Sequence, residues 1–225
     1  VQPYSISFAH YMTSVVHLLR GEPAAALASA ETSLDVSREQ RFSLYVLLSR
    51  ISRGYALGGL GKVEEVRTEI KLGLGDMRSN GVGFMLSMMD SWLADMCARS
   101  GDNEAALSIV ETSLAGINDV TGRSWESELY RRKAQFLLAL HPKREHDAEL
   151  NLRKAIDVAR LQNAKSFELR AVTGLASLWM SQNRSDEARD LIEPVYDWFG
   201  EGRNTEDLRR AREVRMAASG SGIPG

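Results

Sequence analysis

The chain has 225 residues, with 28 lysines and arginines against 30 aspartates and glutamates and a formal net charge of -2. This balance argues against nucleic-acid coat proteins and basic membrane-surface modules, because both need a concentrated positive field. Hydrophobic residues make up 44% and charged residues 26% of the chain, a composition typical of a folded globular protein.

Cysteine usage and hydropathy restrict the compartment. The single cysteine, Cys97, excludes an intrachain disulfide and a cysteine-based zinc site, and it is consistent with a reducing compartment. The uncharged N-terminal run, residues 1–19, is too polar to span a membrane and lacks the basic start of a signal peptide. Because the first residue is Val1 rather than Met, we expect a piece of a longer protein. From the cysteine usage and the hydropathy, we expect a cytoplasmic location and no membrane association.

Proline placement predicts long helices. The five prolines stand at positions 3, 23, 142, 194 and 224, where we expect helix margins, and residues 24–141 contain none. Folds built from short strands are punctuated by proline and glycine every 8 to 12 residues or so, and this gap is therefore typical of an all-α chain.

A repeat of about forty residues runs along the chain. Gly21, Gly61 and Gly101 are forty residues apart, and a small or compact residue follows at positions 26, 66, 106, 148 and 188. A second small or aliphatic residue comes seven positions later, at 33, 73, 113, 155 and 195, which is two helical turns along the same stripe. The pattern predicts a right-handed α-solenoid of about five helix hairpins.

The first helix of each hairpin carries a matching small residue about twelve positions earlier, at 14, 54, 94, 134 and 176. A last helix with Leu208 and Val214 on one side and Arg209, Arg210 and Glu213 on the other is expected to cap the stack. We predict one solenoid over residues 1–218, with units at about 4–40, 42–80, 83–120, 124–163 and 165–200, a cap at 204–218 and a disordered tail at 219–225.

Hairpins with small residues at these offsets resemble the tetratricopeptide repeat, whose usual period is about 34. Residues 124–215 are more specifically similar to the C-terminal helical-repeat region of multidomain bacterial regulators, which pair an adenylate-cyclase-like or DNA-binding domain with a signal-transduction ATPase. The segments that carry this similarity are 128–133, 166–171, 175–179, 187–189, 194–199 and 207–208. The resemblance implies that the chain is the sensing and interaction end of such a protein.

The residues that could bind a phosphate or a metal, or act as a nucleophile, are not spaced as such a site requires. The segment 56–63 lacks the first glycine and the final Ser or Thr of a phosphate loop and is typical of a repeat turn. His10 and His17 lie seven apart without further ligands, and they occupy packing slots of the repeat. Cys97 falls in a slot equivalent to that of His17 and should be buried and inert. We therefore expect no enzyme activity, no metal and no cofactor.

The predicted binding surface is the concave groove lined by the first helices. Residues six and three positions before the small first-helix residue, and one after it, should line this groove. The candidate partner-binding residues are Phe8, Tyr11, Val15, Tyr55, Met88, Asp95, Glu128, Arg131, Gln135 and Arg170, and the same offsets also give Leu48, Ile51, Ser91, Thr173 and Ser177.

The groove is predicted to be apolar in its early half and charged in its late half. It would suit a protein or peptide segment with an apolar end and an acidic or polar end. The alternative is that the longer helices shift the register, so that Phe8, Leu48, Ile51 and Met88 are ordinary packing residues. The Lys and Asn of the chaperone-type carboxylate clamp are absent, because Tyr11 and Val15 stand there in the first unit.

Two functions remain open at this point. The first is a non-enzymatic protein-interaction module that binds another protein, including a domain of its own parent chain, and thereby regulates it. The second is a small-ligand sensor that holds a metabolite in the groove. Nucleic acid is disfavoured as a partner by the near-neutral charge.

Overall fold

The structure is a computed structural model, and it describes residues 2–79, 81, 83, 85–117 and 123–220. These ranges contain eleven α-helices and no strand, which confirms the predicted all-α class built from helix hairpins. The helices are α1 Pro3–Leu19, α2 Pro23–Glu39, α3 Ser43–Gly59, α4 Val63–Ser79, α5 Leu86–Arg99, α6 Asn103–Ala115, α7 Glu126–Leu140, α8 Glu145–Leu161, α9 Lys165–Ser181, α10 Ser185–Asp197 and α11 Glu206–Ala218. The handedness of the stack and the unit boundaries stay predictions.

Contacts divide the chain into two compact units, Val1–Ile109 and Val110–Gly225, and the boundary falls within α6. In unit 1, α1 packs on α2, α2 on α3 and α3 on α4, while α1 also touches α3. In unit 2, α7 packs on α8, α8 on α9 and α9 on α10, and α11 packs on both α9 and α10. Within each unit, first helices therefore lie beside first helices.

The small residues of the repeat are buried where helices pack. Val66 is 3% exposed, and the four alanines at the equivalent positions, Ala26, Ala106, Ala148 and Ala188, are 0% exposed. The first-helix positions Ser14, Ala94, Ala134 and Ala176 are also 0% exposed. The sequence register is thereby confirmed, because each of these residues faces a neighbouring helix.

Gly54 shows why the register demands small residues. A Cβ atom placed there would lie 2.9 Å from Cγ1 of Ile70 on α4, and a Cβ at Gly73 would lie 3.0 Å from Cγ1 of Ile51. Both distances are shorter than ordinary van der Waals contact, so α3 and α4 approach too closely for larger side chains.

The turns that follow the helices share one hydrogen-bond pattern. Gly21, Gly61 and Gly101 have φ of 73, 95 and 85°. The next residue donates its N–H to a carbonyl five positions back, as from Glu22 to His17 at 2.9 Å. This is the Schellman arrangement, which needs a left-handed residue after the helix. Asn163 and Asn183 take this position in unit 2 with φ of 54 and 62°, and Arg41 takes it in unit 1 with φ of 58°.

One predicted feature differs in the structure, and another agrees with it. Pro194 lies inside α10 rather than at a helix margin. It is exposed, so water can hydrate the carbonyl group that loses its intrahelical donor. In α11, Leu208 and Ala211 are buried while Arg209 and Arg210 are exposed, which agrees with the predicted two-sided helix. Residues 221–225 of the predicted tail lie outside the described residues.

Candidate interaction surfaces

The first candidate surface is a cluster of rings on α1 and α3 of unit 1, which we call the aromatic face and define as Tyr4, Phe8, Tyr11 and Tyr45. Tyr4 and Phe8 are 52% and 48% exposed, and they lie one helical turn apart on α1. The ring of Tyr45 lies 5.2 Å from that of Tyr4 and 6.3 Å from that of Phe8, both in edge-on geometry. Two half-exposed rings thus rest on a buried third ring.

Hydrogen bonding and burial fix the inner phenols of this face. The Tyr45 hydroxyl donates to the Tyr4 hydroxyl at 3.2 Å. Burial, followed by this hydrogen bond, raises the pKa of Tyr45 to about 12. Burial also raises the pKa of Tyr11, with a smaller contribution from Tyr45. Tyr11 and Tyr45 are therefore neutral at physiological pH and add no charge to the face.

Several predicted groove residues of unit 1 are buried instead of accessible. Tyr11, Val15 and Met88 are 1%, 4% and 3% exposed. The Tyr11 hydroxyl donates to Sδ of Met85 at 3.2 Å, a contact with the residue that precedes α5. Leu48 and Ile51 are buried too, as the packing alternative predicts for them and for Met88, whereas Phe8 is exposed.

Tyr55 and Asp95, predicted from sequence as groove residues, are brought together on α3 and α5. The Tyr55 ring stacks on Trp92, with centroids 4.9 Å apart and planes 4° from parallel, and its hydroxyl donates to Oδ2 of Asp95 at 2.9 Å. Arg99 donates from Nε to the same oxygen at 2.9 Å. Asp95 is only 6% exposed, so its charge is held by these donors.

The second candidate surface is a row of charges in unit 2, which we call the charge ladder and define as Glu128, Arg170 and Asp207. These residues belong to α7, α9 and α11, the three helices that lie side by side in the unit. Arg170 donates from Nε to Oδ2 of Asp207 at 2.7 Å, and its Nη1 lies 3.8 Å from Oε2 of Glu128. The ladder therefore links the last hairpin to α11 on one side and to α7 on the other.

Arg131 and Gln135 extend the ladder along α7. Arg131 binds Glu128 with both ends of its guanidinium, Nε to Oε1 at 2.9 Å and Nη2 to Oε2 at 3.0 Å. Its Nη1 reaches Oε1 of Gln135 at 3.4 Å, and Gln135 is exposed. The four late candidates from the sequence thus lie together, but the two arginines already hold carboxylates.

Ion pairs keep the carboxyl group of Glu128 ionised at physiological pH. Its carboxylate is 3% exposed, and burial alone would raise its pKa. The charges of Arg131 and Arg170 and the hydrogen bonds from Arg131 outweigh burial and lower the pKa of Glu128 to about 2. Burial likewise opposes the charge of Arg170, but Glu128 and Asp207 raise the pKa of its guanidinium. The pair stays charged across the physiological range.

The other sequence candidates form no site in the structure. His17 lies 2.6 Å from Glu22 through Nδ1 and Oε2, a local contact around the first turn. Cys97 is 6% exposed and burial raises the pKa of its thiol, so the thiolate needed for reactivity is disfavoured. Within the described residues, no group of three His, Cys, Asp or Glu side chains could hold a metal ion. The same part of the chain contains no helix long and apolar enough to cross a membrane.

Comparisons with known proteins agree with this geometry. The family model of the Tetratricopeptide repeat matches residues 7–32, which cover the first hairpin from within α1 to within α2. The crystal structure of the apo form of RapI superposes with a TM-score of 0.60 at 12% identity, covering 98% of this chain and 84% of that one. The fold is that of tetratricopeptide-like repeats.

A second tetratricopeptide-like structure supports the same fold. A crystal structure of a point variant of a putative kinesin light chain from Podosopora anserina, described as having nearly identical TPR-like repeats, gives a TM-score of 0.56 at 14% identity. The match covers 97% of this chain and 99% of that one. No curated protein matches the chain in sequence. At these identities the likeness concerns the tetratricopeptide-like fold alone.

Sequence reasoning missed several partners of the predicted residues. Trp92 lies one turn beyond Met88 on α5, so its i+4 spacing could have placed it beside the groove positions. Tyr4 precedes Phe8 by the same spacing on α1. Asp207 gave no such signal, because its contact with Arg170 joins helices that are 37 residues apart in sequence.

Proposed function

We propose that the chain is a non-enzymatic interaction module that binds an extended protein or peptide segment with an aromatic or aliphatic side chain. The observation that carries this proposal is the pair Tyr4 and Phe8, two half-exposed rings on a first-helix face of a tetratricopeptide-like hairpin. Exposed aromatic rings on a rigid support are the side chains that most often anchor protein interfaces.

A separate polar surface within unit 2 is the charge ladder with Arg131 and Gln135. Because Glu128 and Asp207 already hold Arg131 and Arg170, the ladder offers polar hydrogen-bonding positions and little net charge. A partner that binds the ladder would therefore gain specificity from hydrogen bonds rather than from charge attraction.

The proposal extends to the parent protein. The similarity of residues 124–215 to the terminal region of bacterial cyclase- and ATPase-linked regulators supports a sensing or autoregulatory role in the cytoplasm. The partner in this view is another domain of the same parent chain, and regulation arises because the module binds one state of that domain more tightly than the other.

A peptide-display experiment tests the binding role. Peptides selected against the chain from a random library would be measured for affinity by fluorescence anisotropy against the wild type and Phe8→Ser. Loss of a central aromatic anchor typically costs an interface at least about 2 kcal/mol, so we expect Kd to rise at least about thirtyfold. Leu72→Ser is the matched control, because Leu72 is 62% exposed on the second helix α4.

The result separates the interaction role from nonspecific hydrophobic binding. Equal losses in Phe8→Ser and Leu72→Ser, or no peptide with saturable binding, would count against the aromatic face. For the parent protein, removal of this chain should change cyclase or ATPase output, and unchanged output in the presence and absence of the module would contradict the regulatory role.

A metabolite sensor is the alternative, and one observation favours it. Unit 1 contains a cavity of about 420 Å³, which is within the size range of small-molecule sites, although it lies outside the predicted groove residues in which the metabolite was expected. A thermal shift measured against a metabolite panel tests the sensor function. A ligand at about 100 times its Kd adds about 2.7 kcal/mol of stability, and a flat panel would contradict the sensor function.

A further inference from the structure

The cavity of unit 1 lies where α2 ends and α3 begins, against the last turns of α4. Its volume is about 420 Å³. The lining residues are Arg38, Arg41, Ser43, Val46, Leu47 and Asp76. They come from both hairpins of unit 1 and from the turn that joins them, and they include none of the candidate interaction residues.

Two arginines without ion pairs lie at this cavity. Elsewhere in the described residues, arginines form ion pairs with carboxylates, as in Arg53 with Glu31 at 3.2 Å and Arg170 with Asp207 at 2.7 Å. By contrast, Arg38 and Arg41 are exposed, and neither forms an ion pair with any side chain that the structure describes. Two guanidinium groups that line one pocket offer donors of the kind that bind a carboxylate or a phosphate.

The rest of the lining suits an anion that carries a short apolar body. Val46 and Leu47 are half-buried and form the apolar part of the wall. Ser43 is the first residue of α3, so the positive end of that helix dipole lies at the cavity. The carboxylate of Asp76 lies in the same wall and limits the negative charge that the cavity accepts.

We propose that this cavity binds a small organic anion, a carboxylate or a phosphate monoester with a compact apolar group, held by Arg38 and Arg41. Because the lining spans α2, α3 and α4, an occupant contacts both hairpins and stabilises their packing. The site is separate from the aromatic face and the charge ladder, and its test is independent of peptide binding.

Isothermal titration of the chain with phenyl phosphate, benzoate and inorganic phosphate at constant ionic strength tests the site. We expect saturable one-site binding of phenyl phosphate, tighter than that of inorganic phosphate because Val46 and Leu47 contact the ring. Arg38→Gln and Arg41→Gln should each raise its Kd by about tenfold, since each removes charge-assisted hydrogen bonds. Asp76→Asn should lower Kd by about threefold, since a like charge is removed.

Arg53→Gln is the matched control, because it removes the same charge from a position on α3 outside the cavity. Its Kd for phenyl phosphate should equal that of the wild type. Absence of saturable binding, or equal weakening in Arg38→Gln and Arg53→Gln, would overturn the proposal.

A tyrosine-phosphorylated peptide and free phenyl phosphate present the same anion, and their relative affinities show which source the site prefers. Tighter binding of free phenyl phosphate supports a small-molecule site. Tighter binding of the peptide, lost in Arg38→Gln, would replace the small molecule with a phosphorylated segment as the occupant. Circular dichroism of each variant confirms that folding is unchanged, as expected for substitutions of exposed side chains.

Discussion

The two units keep the same small-residue register but hold their first helices together in different ways. In unit 1, rings and aliphatic side chains pack between first helices, as in the stack of Tyr55 on Trp92. A carboxylate contact lies beside this stack, that of Asp95 with Tyr55 and Arg99. In unit 2, the corresponding positions of α7, α9 and α11 carry the charge ladder. The small residues of the repeat thus decide where helices pack. The neighbouring side chains decide whether nonpolar contacts or ion pairs hold the helices together.

The two kinds of packing differ in their response to pH. Nonpolar contacts do not titrate, whereas buried ion pairs contribute stability only while both partners are charged. Unit 2 should therefore respond to acid through Glu128, whereas the aromatic face of unit 1 should not, because the raised pKa values of Tyr11 and Tyr45 leave these phenols neutral in acid and at neutral pH. Substitutions in the two units should reveal this contrast.

The largest effect is expected for Glu128→Gln in unit 2. Because the folded pKa of about 2 lies below the ordinary value of 4.5, Glu128 stabilises the fold fully above pH 4.5, and this contribution disappears as pH falls toward 2. The shift corresponds to about 3 kcal/mol at neutral pH. Urea denaturation should show a loss of that size and a flatter acid dependence. Glu187→Gln, an exposed carboxylate paired with Arg184, should leave stability unchanged.

The next effect should be equal in the two units. Ala26→Phe in unit 1 and Ala188→Phe in unit 2 both place a ring at a 0% exposed contact, and each should cost about 2 kcal/mol by overpacking. Ala25→Phe is the control, because Ala25 lies next to Ala26 on α2 and is exposed. A clear difference between Ala26→Phe and Ala188→Phe would break the idea of a shared register.

A smaller loss is expected for Tyr55→Phe in unit 1. The change removes the hydroxyl that donates to Asp95, while Arg99 still binds that carboxylate, so we expect a cost of about 1.5 kcal/mol in urea denaturation. Thr32→Ala removes an exposed hydroxyl that donates to the carbonyl of Ala28 and should cost less than about 0.5 kcal/mol. Equal values would show that the Asp95 contact is no stronger than a surface hydrogen bond.

The smallest effect concerns the turns, where unit 1 uses three glycines and Arg41 and unit 2 uses Asn163 and Asn183. Gly61 has φ of 95°, and an added Cβ would meet nothing within 4 Å, so Gly61→Ala should cost only backbone strain, about 1 kcal/mol. Gly61→Asn should cost about half as much, because asparagine tolerates the left-handed region better than alanine and Asn183 already adopts it. Thermal unfolding compares the variants, and the reverse order would contradict the equivalence of these turns.

Much of the fold could be predicted because its signals are local. The spacing of Gly21, Gly61 and Gly101 located three turns, and the small residues that follow them located the helix contacts. The prediction that Pro194 lies at a helix margin was wrong. A proline near the end of a helix removes one hydrogen bond, and because Pro194 is exposed, water can replace it.

The candidate surfaces were less predictable. Phe8 and Gln135 are exposed as expected, but Tyr11, Val15 and Met88 are buried. A single helical stripe does not show how deeply neighbouring helices cover it, and the contact of Met85 with Tyr11 joins residues 74 positions apart. Arg131 and Arg170 were expected to be available to a partner, yet internal carboxylates hold both.

The sequence by itself determined the helical class, the forty-residue register and the closest helix contacts, because these follow from the size and periodicity of neighbouring side chains. Only the tertiary structure decided which rings stay exposed, which charges are paired and which residues, Arg38 and Arg41 among them, line the cavity of unit 1. The physical reason is that exposure and pairing depend on distances between helices that are far apart in sequence.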